Sequence, residues 1–173
     1  MIICPFCGDE NIDGADSCQE CQQPLEFLSK PQPGSHLERS ILKDRVYVLE
    51  PRQPIMVESR KPVRAVLDML VGHSIGCVVI VSGDELLGIF TERDALTRIN
   101  ADVAAVADRP ISDFMTANPE TVELDARIAF ALHKMDIGGY RHMPVVDQGR
   151  IVGVISIRDI LDYITANLLA AAD

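Results

Sequence analysis

Four of the five cysteines stand near one end of the chain, as Cys4-Pro5-Phe6-Cys7 and Cys18-Gln19-Glu20-Cys21, with ten residues between the pairs. A C-x2-C turn puts two thiolates on one side of a metal ion and leaves backbone N–H groups to bond the sulfurs. Two such turns close a tetrahedral site with sulfur about 2.3 Å from Zn²⁺. All four positions are Cys, so no position stays open for water and the expected role is structural, not catalytic. Two disulfides would need an oxidising compartment, and Met1-Ile2-Ile3-Cys4-Pro5 has neither a basic segment nor an apolar h-region. A redox pair belongs at a helix start in a βαβ unit, and nothing helical follows Cys7. The expectation is one structural zinc ion on Cys4, Cys7, Cys18 and Cys21.

Two further words carry chemistry, Thr91-x-x-Asp94 and Ser156-x-x-Asp159. Each pairs a hydroxyl with an acid three residues on, which is the chemistry of a helix start. The same geometry aims N–H groups and a partial positive charge outward, which suits phosphate. Capping and ligand binding both fit these residues. Arg141-His142, beside Pro144, adds a possible phosphate handle, since Arg offers a fork of donors. A surface Arg and a satisfied core His fit that pair as well. Cys77, in an apolar run, is expected to be an inert core residue. His36, His73 and His133 stand alone and receive no role.

The elements that must position these groups come from a repeat. Shifting the chain by 65 residues lays 76–94 on 141–159 without a gap. Leu86 to Asp94 then overlies Ile151 to Asp159, Val79-Ile80-Val81 overlies Pro144-Val145-Val146, and Val57 overlies Val122. The units are 44–108 and 109–173. Each reads as a short strand at Val57 or Val122, then a helix (Val63, Val66, Leu67, Leu70; Ile128, Ala131, Leu132, Met135). Glycines end that helix, at Gly72 or at Gly138-Gly139. Two apolar strands joined by a tight turn follow, then a last helix. The order β-α-β-β-α gives one antiparallel and one parallel strand pair, an α/β (α+β) fold. One helical layer leaves apolar sheet surface bare, and stacking two copies about a pseudo-twofold would bury it. Between cysteines and repeats lies Lys30-Pro31-Gln32-Pro33-Gly34, a breaker cluster that sets the boundary. Ser35 with Glu38 is a capping box for a short helix carrying Leu37, Ile41 and Leu42. The organisation expected is 1–30, linker and helix 31–43, and the two repeats.

The chain has 173 residues, and Lys and Arg number 16 against 26 Asp and Glu, a net charge of −10. Residues 1–30 carry six acids and one base. Nucleic acid and anionic membrane are therefore disfavoured as partners. Hydrophobic residues make up 47% and aromatics 5%, so the core must be aliphatic. No apolar run reaches the roughly 18 residues of a membrane span. A reducing cytoplasm is the expected compartment.

Two resemblances organise these observations. Cys4-Pro-Phe-Cys-Gly8 and Cys18-x-x-Cys21 resemble the short zinc-ribbon family, with a departure at Gln22, where a second Gly is usual. The repeats look like tandem CBS domains, a Bateman module. The matching words are Gly88-Ile-Phe-Thr-Glu-Arg-Asp94, Gly153-Val-Ile-Ser-Ile-Arg-Asp159, Asp113-Phe-Met-Thr116 and Arg141-His-Met-Pro-Val-Val-Asp147. This resemblance implies an adenosine-nucleotide ligand. Asp94 and Asp159 would hold ribose, and Thr91 and Ser156 would lie near phosphate. Arg141 and His142 would face Asp94 across the pseudo-twofold, making its cleft the phosphate-competent one, while the Asp159 cleft would face Gly76 and Cys77. It also implies a homodimer built from the repeats. The function expected is a regulatory nucleotide-binding module, not an enzyme, with the ribbon free to contact a protein partner. The alternative is a structural adaptor that binds no nucleotide and uses both parts for protein contacts.

Overall fold

The computed structural model describes residues 1–12, 15–25, 36–99 and 103–170. The proline-rich linker and Ser35 of the expected capping box lie outside the described residues. The chain divides into two compact units that cut across the repeats. One is drawn from Met1–Glu50, Glu123–Arg141 and Ser156–Asp173, the other from Pro51–Val122 and His142–Ile155.

In the first unit, β1 (Ile2–Ile3) pairs antiparallel with β2 (Glu10–Asn11), with Ile2 opposite Asn11. Helix α1 (His36–Lys43) packs on the second repeat's helices, which are numbered below as α5 (Ile128–Gly138) and α6 (Ile157–Ala170). A 3-10 turn, Val46–Leu49, follows α1. Backbone bonds from Val46 N to Ala126 O (2.8 Å), Tyr47 N to Leu124 O (3.0 Å) and Ile128 N to Asp44 O (3.0 Å) tie it to the start of α5. Tyr163 Oη donates to Asp44 Oδ2 at 2.6 Å, and burial followed by this bond raises the phenol to about 12.

The second unit is built on a four-stranded sheet in the order β3-β4-β5-β6. Strands β3 (Met56–Glu58) and β4 (Cys77–Ser82) are parallel, joined through α2 (Val63–Gly72). Strand β5 (Glu85–Thr91) returns antiparallel after a turn with Gly83 at φ +60°. It runs into α3 (Glu92–Asp94), a π-helical turn at Ala95–Ile99 and, further on, α4 (Val103–Val106). Strand β6 (Thr116–Ala117) belongs by sequence to the second repeat yet pairs with β5, with Gly88 opposite Ala117. A third sheet, β7-β8-β9, is formed by Val122–Glu123, His142–Asp147 and Arg150–Ser156.

The apolar run of β4 does not alternate because both its faces are covered. Val78 and Ile80 join Val57, Val63, Val66, Leu70, Phe90, Ile99, Ile111 and Phe114 in one core. Val79 and Val81 face the other way, onto Val154, with Ile151 against the same cluster. Sheet surface from one copy is thus buried by residues of the other.

The glycines of the two repeated words have a steric cause. A Cβ on Gly88 would stand 2.9 Å from Thr116 O, and one on Gly153 would stand 2.5 Å from Pro51 Cβ. Each is crossed by a segment of backbone from the other repeat, since Arg52 makes an isolated bridge to Val154 as Ala117 of β6 pairs with Gly88. Glycines do end both helices: Gly72 is the last residue of α2, with Ser74 beyond it at φ +52°, and Gly138 is the last of α5, with Gly139 its left-handed cap at φ +64°. Among the described residues no helix is long and apolar enough to cross a membrane.

Candidate functional site

The four cysteines converge. Their sulfurs all lie within 4.8 Å of one another, with Cys4–Cys21 at 3.6 Å and Cys7–Cys18 at 3.5 Å. A tetrahedron of sulfurs about 2.3 Å from zinc has edges of about 3.8 Å, so the donor set fits that metal. None of the cysteines is disulfide-bonded. The two knuckles share one backbone device. Gly8 N bonds Cys4 O and Gln22 N bonds Cys18 O, both at 2.9 Å, with Gly8 at φ +84° and Gln22 at φ +58°. Gln22 therefore takes the left-handed conformation that glycine would adopt with less strain.

Asn11, which the motif did not single out, organises the second knuckle. It is buried, donates from Nδ2 to Cys18 Sγ at 3.4 Å, and accepts from Gln19 N at 3.0 Å. The Cys21 backbone N–H, with help from Asn11, lowers the Cys18 thiol to about 6, whereas burial raises Cys7 and Cys21. The buried centre of this segment is Cys4, Cys18 and Leu25, so two of its three residues are candidate ligands. Phe6, between the first two cysteines, lays its ring against His133 of α5, with centroids 4.7 Å apart and planes at 45°.

The Thr91 and Ser156 words form matching cages. Asp94 Oδ2 accepts from Thr91 N (2.9 Å) and Thr91 Oγ1 (2.7 Å), and Asp94 N donates back to Thr91 Oγ1 (3.2 Å). Asp159 Oδ2 accepts from Ser156 N and Oγ, both at 2.6 Å, and Asp159 N reaches Ser156 Oγ at 3.4 Å. Both are reciprocal caps. The next N–H of each helix start is also spent, Glu92 N on Gly76 O (3.0 Å) and Ile157 N on Arg141 O (2.9 Å). These helix ends thus offer phosphate fewer free donors than the bare motif suggests.

Beyond the cages the two sites differ. At the first, Asp94 is buried and its Oδ1 meets Arg98 Nε at 3.2 Å and Thr116 Oγ1 at 3.4 Å. Arg98 Nη2 donates to Thr116 Oγ1 at 2.9 Å, and Nη1 donates to the carbonyls of Phe114 and Met115. His142 rests against Gly76 so closely that a Cβ there would lie 2.4 Å from His142 Nε2. Thr91, Asp94, His142, Arg98 and Thr116 thus share one unit. Arg141, exposed, belongs with Ser156 and Asp159 in the other. Arg98 and Thr116 were not among the expected site residues. The i,i+4 spacing of Asp94 and Arg98 was the available signal. Cys77 is partly buried, and burial, then the charge of Glu92, raises its thiol to about 12.

The CBS domain model matches residues 49–101 and 111–166. A CBS domain-containing protein of Arabidopsis thaliana is 31% identical over 124 residues, covering 67% of this chain and 23% of that protein. This chain therefore spans only a fraction of that relative's length. A CBS domain protein of Pyrobaculum aerophilum, solved in complex with AMP, is 29% identical with TM-score 0.63, covering 75% of this chain and 98% of that one. The CBS domain pair of protein MJ0100, solved with 5′-methylthioadenosine and S-adenosyl-L-methionine, is 26% identical with TM-score 0.62, covering 71% and 97%. Duplicated β-α-β-β-α units, backbone-crossed glycines and two matched stretches agree: the chain belongs to the CBS domain family, as a tandem pair.

Proposed function

We propose that the chain is a regulatory CBS pair that binds an adenosine-class ligand and carries a structural zinc ribbon. The observation that carries this reading is the matched pair of carboxylate cages, at Asp94 and Asp159, in a fold whose relatives hold AMP in one structure and methylthioadenosine and S-adenosyl-L-methionine in another. Asp94 and Asp159 take ribose hydroxyls. His142, which rests against Gly76, and Arg141, whose backbone carbonyl bonds Ile157 N, are the basic residues assigned to phosphate, with Thr91 and Ser156 completing the sites. A regulatory role, rather than a catalytic one, is supported by how these groups are used: each hydroxyl and carboxylate is held in a structural hydrogen bond. The test is a thermal-shift panel of adenosine, AMP, ADP, ATP and S-adenosyl-L-methionine, with GMP as control. Stabilisation by adenosine compounds alone is expected, and no shift with any of them would leave the adaptor reading.

Cys4, Cys7, Cys18 and Cys21 hold the zinc, which when bound cross-links a segment whose buried apolar cluster, among the described residues, is Cys4, Cys18 and Leu25. Four thiols this close and unbonded favour a reducing compartment such as the cytoplasm. Exposed apolar side chains on the repeats, among them Val71, Leu96, Ile137 and Leu161, support a homodimer through the CBS pair. The ribbon, acidic in sequence, is left for a protein partner, not for nucleic acid. Sedimentation equilibrium at micromolar concentration tests the dimer, and a single-chain mass would overturn it.

A further inference from the structure

We propose that Arg98 is a latch on the first repeat's ribose carboxylate, so that a ligand enters there only by drawing Asp94 Oδ1 away from Arg98. The inference rests on the assignment of Asp94 to ribose made above. A carboxylate that receives a ribose diol must present lone pairs to it. At Asp94 one oxygen is committed to the Thr91 cap, and the other faces Arg98 Nε and the Thr116 hydroxyl. The ribose hydroxyls are donors of the same kind and compete for the same oxygen.

The guanidinium is placed there by more than Asp94. Its other nitrogens bond Phe114 O, Met115 O and Thr116 Oγ1, so four acceptors share one planar fork. The π-helical turn Ala95–Ile99 contributes as well. Arg98 lies within it, four residues after Asp94, a spacing that keeps the two side chains on one face. In the second repeat the corresponding residue is Tyr163, on the continuous helix α6, and its hydroxyl is turned to Asp44. Tyr163 therefore does not repeat the pairing that Arg98 makes with Asp94.

Release has a structural consequence. Arg98 holds the stretch Phe114–Thr116, which leads into β6 and pairs with β5 at Ile89 and Gly88. Ligand entry at Asp94 would loosen the segment by which the second repeat's chain crosses the first repeat's sheet. The site thereby couples occupancy to the link between repeats, as a two-state element whose states differ in ligand affinity.

Calorimetric titration of the full chain tests this, in an Asp159→Ala background that silences the second cage. Adenosine and AMP are titrated into that chain and into the same chain with Arg98→Met. The latch predicts that both ligands bind about threefold to tenfold tighter to the Arg98→Met chain, because the ion pair no longer competes. A loss for AMP with adenosine unchanged would make Arg98 a phosphate ligand and overturn the latch. Unchanged affinity for both would overturn it too, while leaving the ribose assignment standing. No heat from either ligand in either chain would defeat the ribose assignment and the latch together. Should Arg98→Met melt near the assay temperature, Thr116→Val removes another donor to the same oxygen and is nearly isosteric. It should also gain affinity, and a loss would count against the proposal.

Discussion

Replacing Asp94 by Asn separates a helix cap from a ligand carboxylate, because the two roles use different features of the side chain. The cap needs an acceptor for Thr91 N and Thr91 Oγ1, now at 2.9 and 2.7 Å. An Asn carbonyl keeps that acceptor in the same place. What Asn loses is the charge facing Arg98 at 3.2 Å, and its amide brings a donor toward another donor. Arg98 is partly exposed and keeps its carbonyl partners, so the cost in stability is about 1 kcal/mol. Asp94→Ala removes the cap as well as the ion pair from a buried position and should cost about 3 kcal/mol. Ligand affinity should follow a different order. A ribose diol loses its charge-assisted bonds in either variant, at about 1.5–3 kcal/mol for each bond, so both variants should bind more than tenfold weaker. Urea denaturation without ligand and calorimetry with adenosine measure the two quantities on the same protein. If Asp94→Asn bound adenosine within twofold of the unaltered chain, the carboxylate would be a cap alone.

Three further outcomes follow from the geometry. Elemental analysis of protein purified without chelator should find one zinc per chain, and chelation should unfold the segment around Cys4, Cys18 and Leu25 while the core around Val78, Ile80 and Phe90 persists by near-ultraviolet and exchange probes. Gly88→Ala should destabilise by about 1–3 kcal/mol, because its Cβ would meet the backbone oxygen of Thr116 at 2.9 Å, whereas Gly72→Ala, with open space around it, should be neutral or stabilising. Tyr163 titrates near 12 when folded, above its unfolded value near 10, so the stability it contributes is full below pH 10 and fades as pH rises through 12. Tyr163→Phe should lower stability at pH 7 by about 1 kcal/mol, the bond being only part-buried, and should flatten the alkaline limb of the pH profile.

Much of the fold was legible because duplication prints the same steric demands twice. Gly88 and Gly153, 65 residues apart, each lie under a crossing segment of backbone, and Asp94 and Asp159 close the same cap. Continuous apolar runs such as Cys77 to Val81 announced a strand covered on both faces. What could not be read was the exchange of strands. Nothing in Thr116-Ala117 says that it pairs with the preceding repeat, because two residues carry no periodicity and the pairing is decided by where β5 has an open edge. Gly72 does end α2, but the residue beyond it that turns left-handed was not legible: Ser74 takes that conformation where the chain turns toward β4.

The cysteine site and the two cages show opposite limits of sequence reading. Ligand spacing fixes a tetrahedral donor set, since few arrangements of two C-x2-C turns exist, and the sulfurs do converge. Asn11 escaped notice because its role depends on β2 delivering its amide to Cys18, a contact made by folding and not by spacing. At the cages the shared motif concealed the difference between copies. Thr91-x-x-Asp94 and Ser156-x-x-Asp159 are alike through the first helical turn, and divergence begins one turn later, with Arg98 in a π turn against Tyr163 in an α-helix. At that position the side chain meets the Asp94 carboxylate in one copy and Asp44 in the other. A duplicated site can therefore keep its cap, which the fold requires, while the position one turn on is free to set how each copy is used.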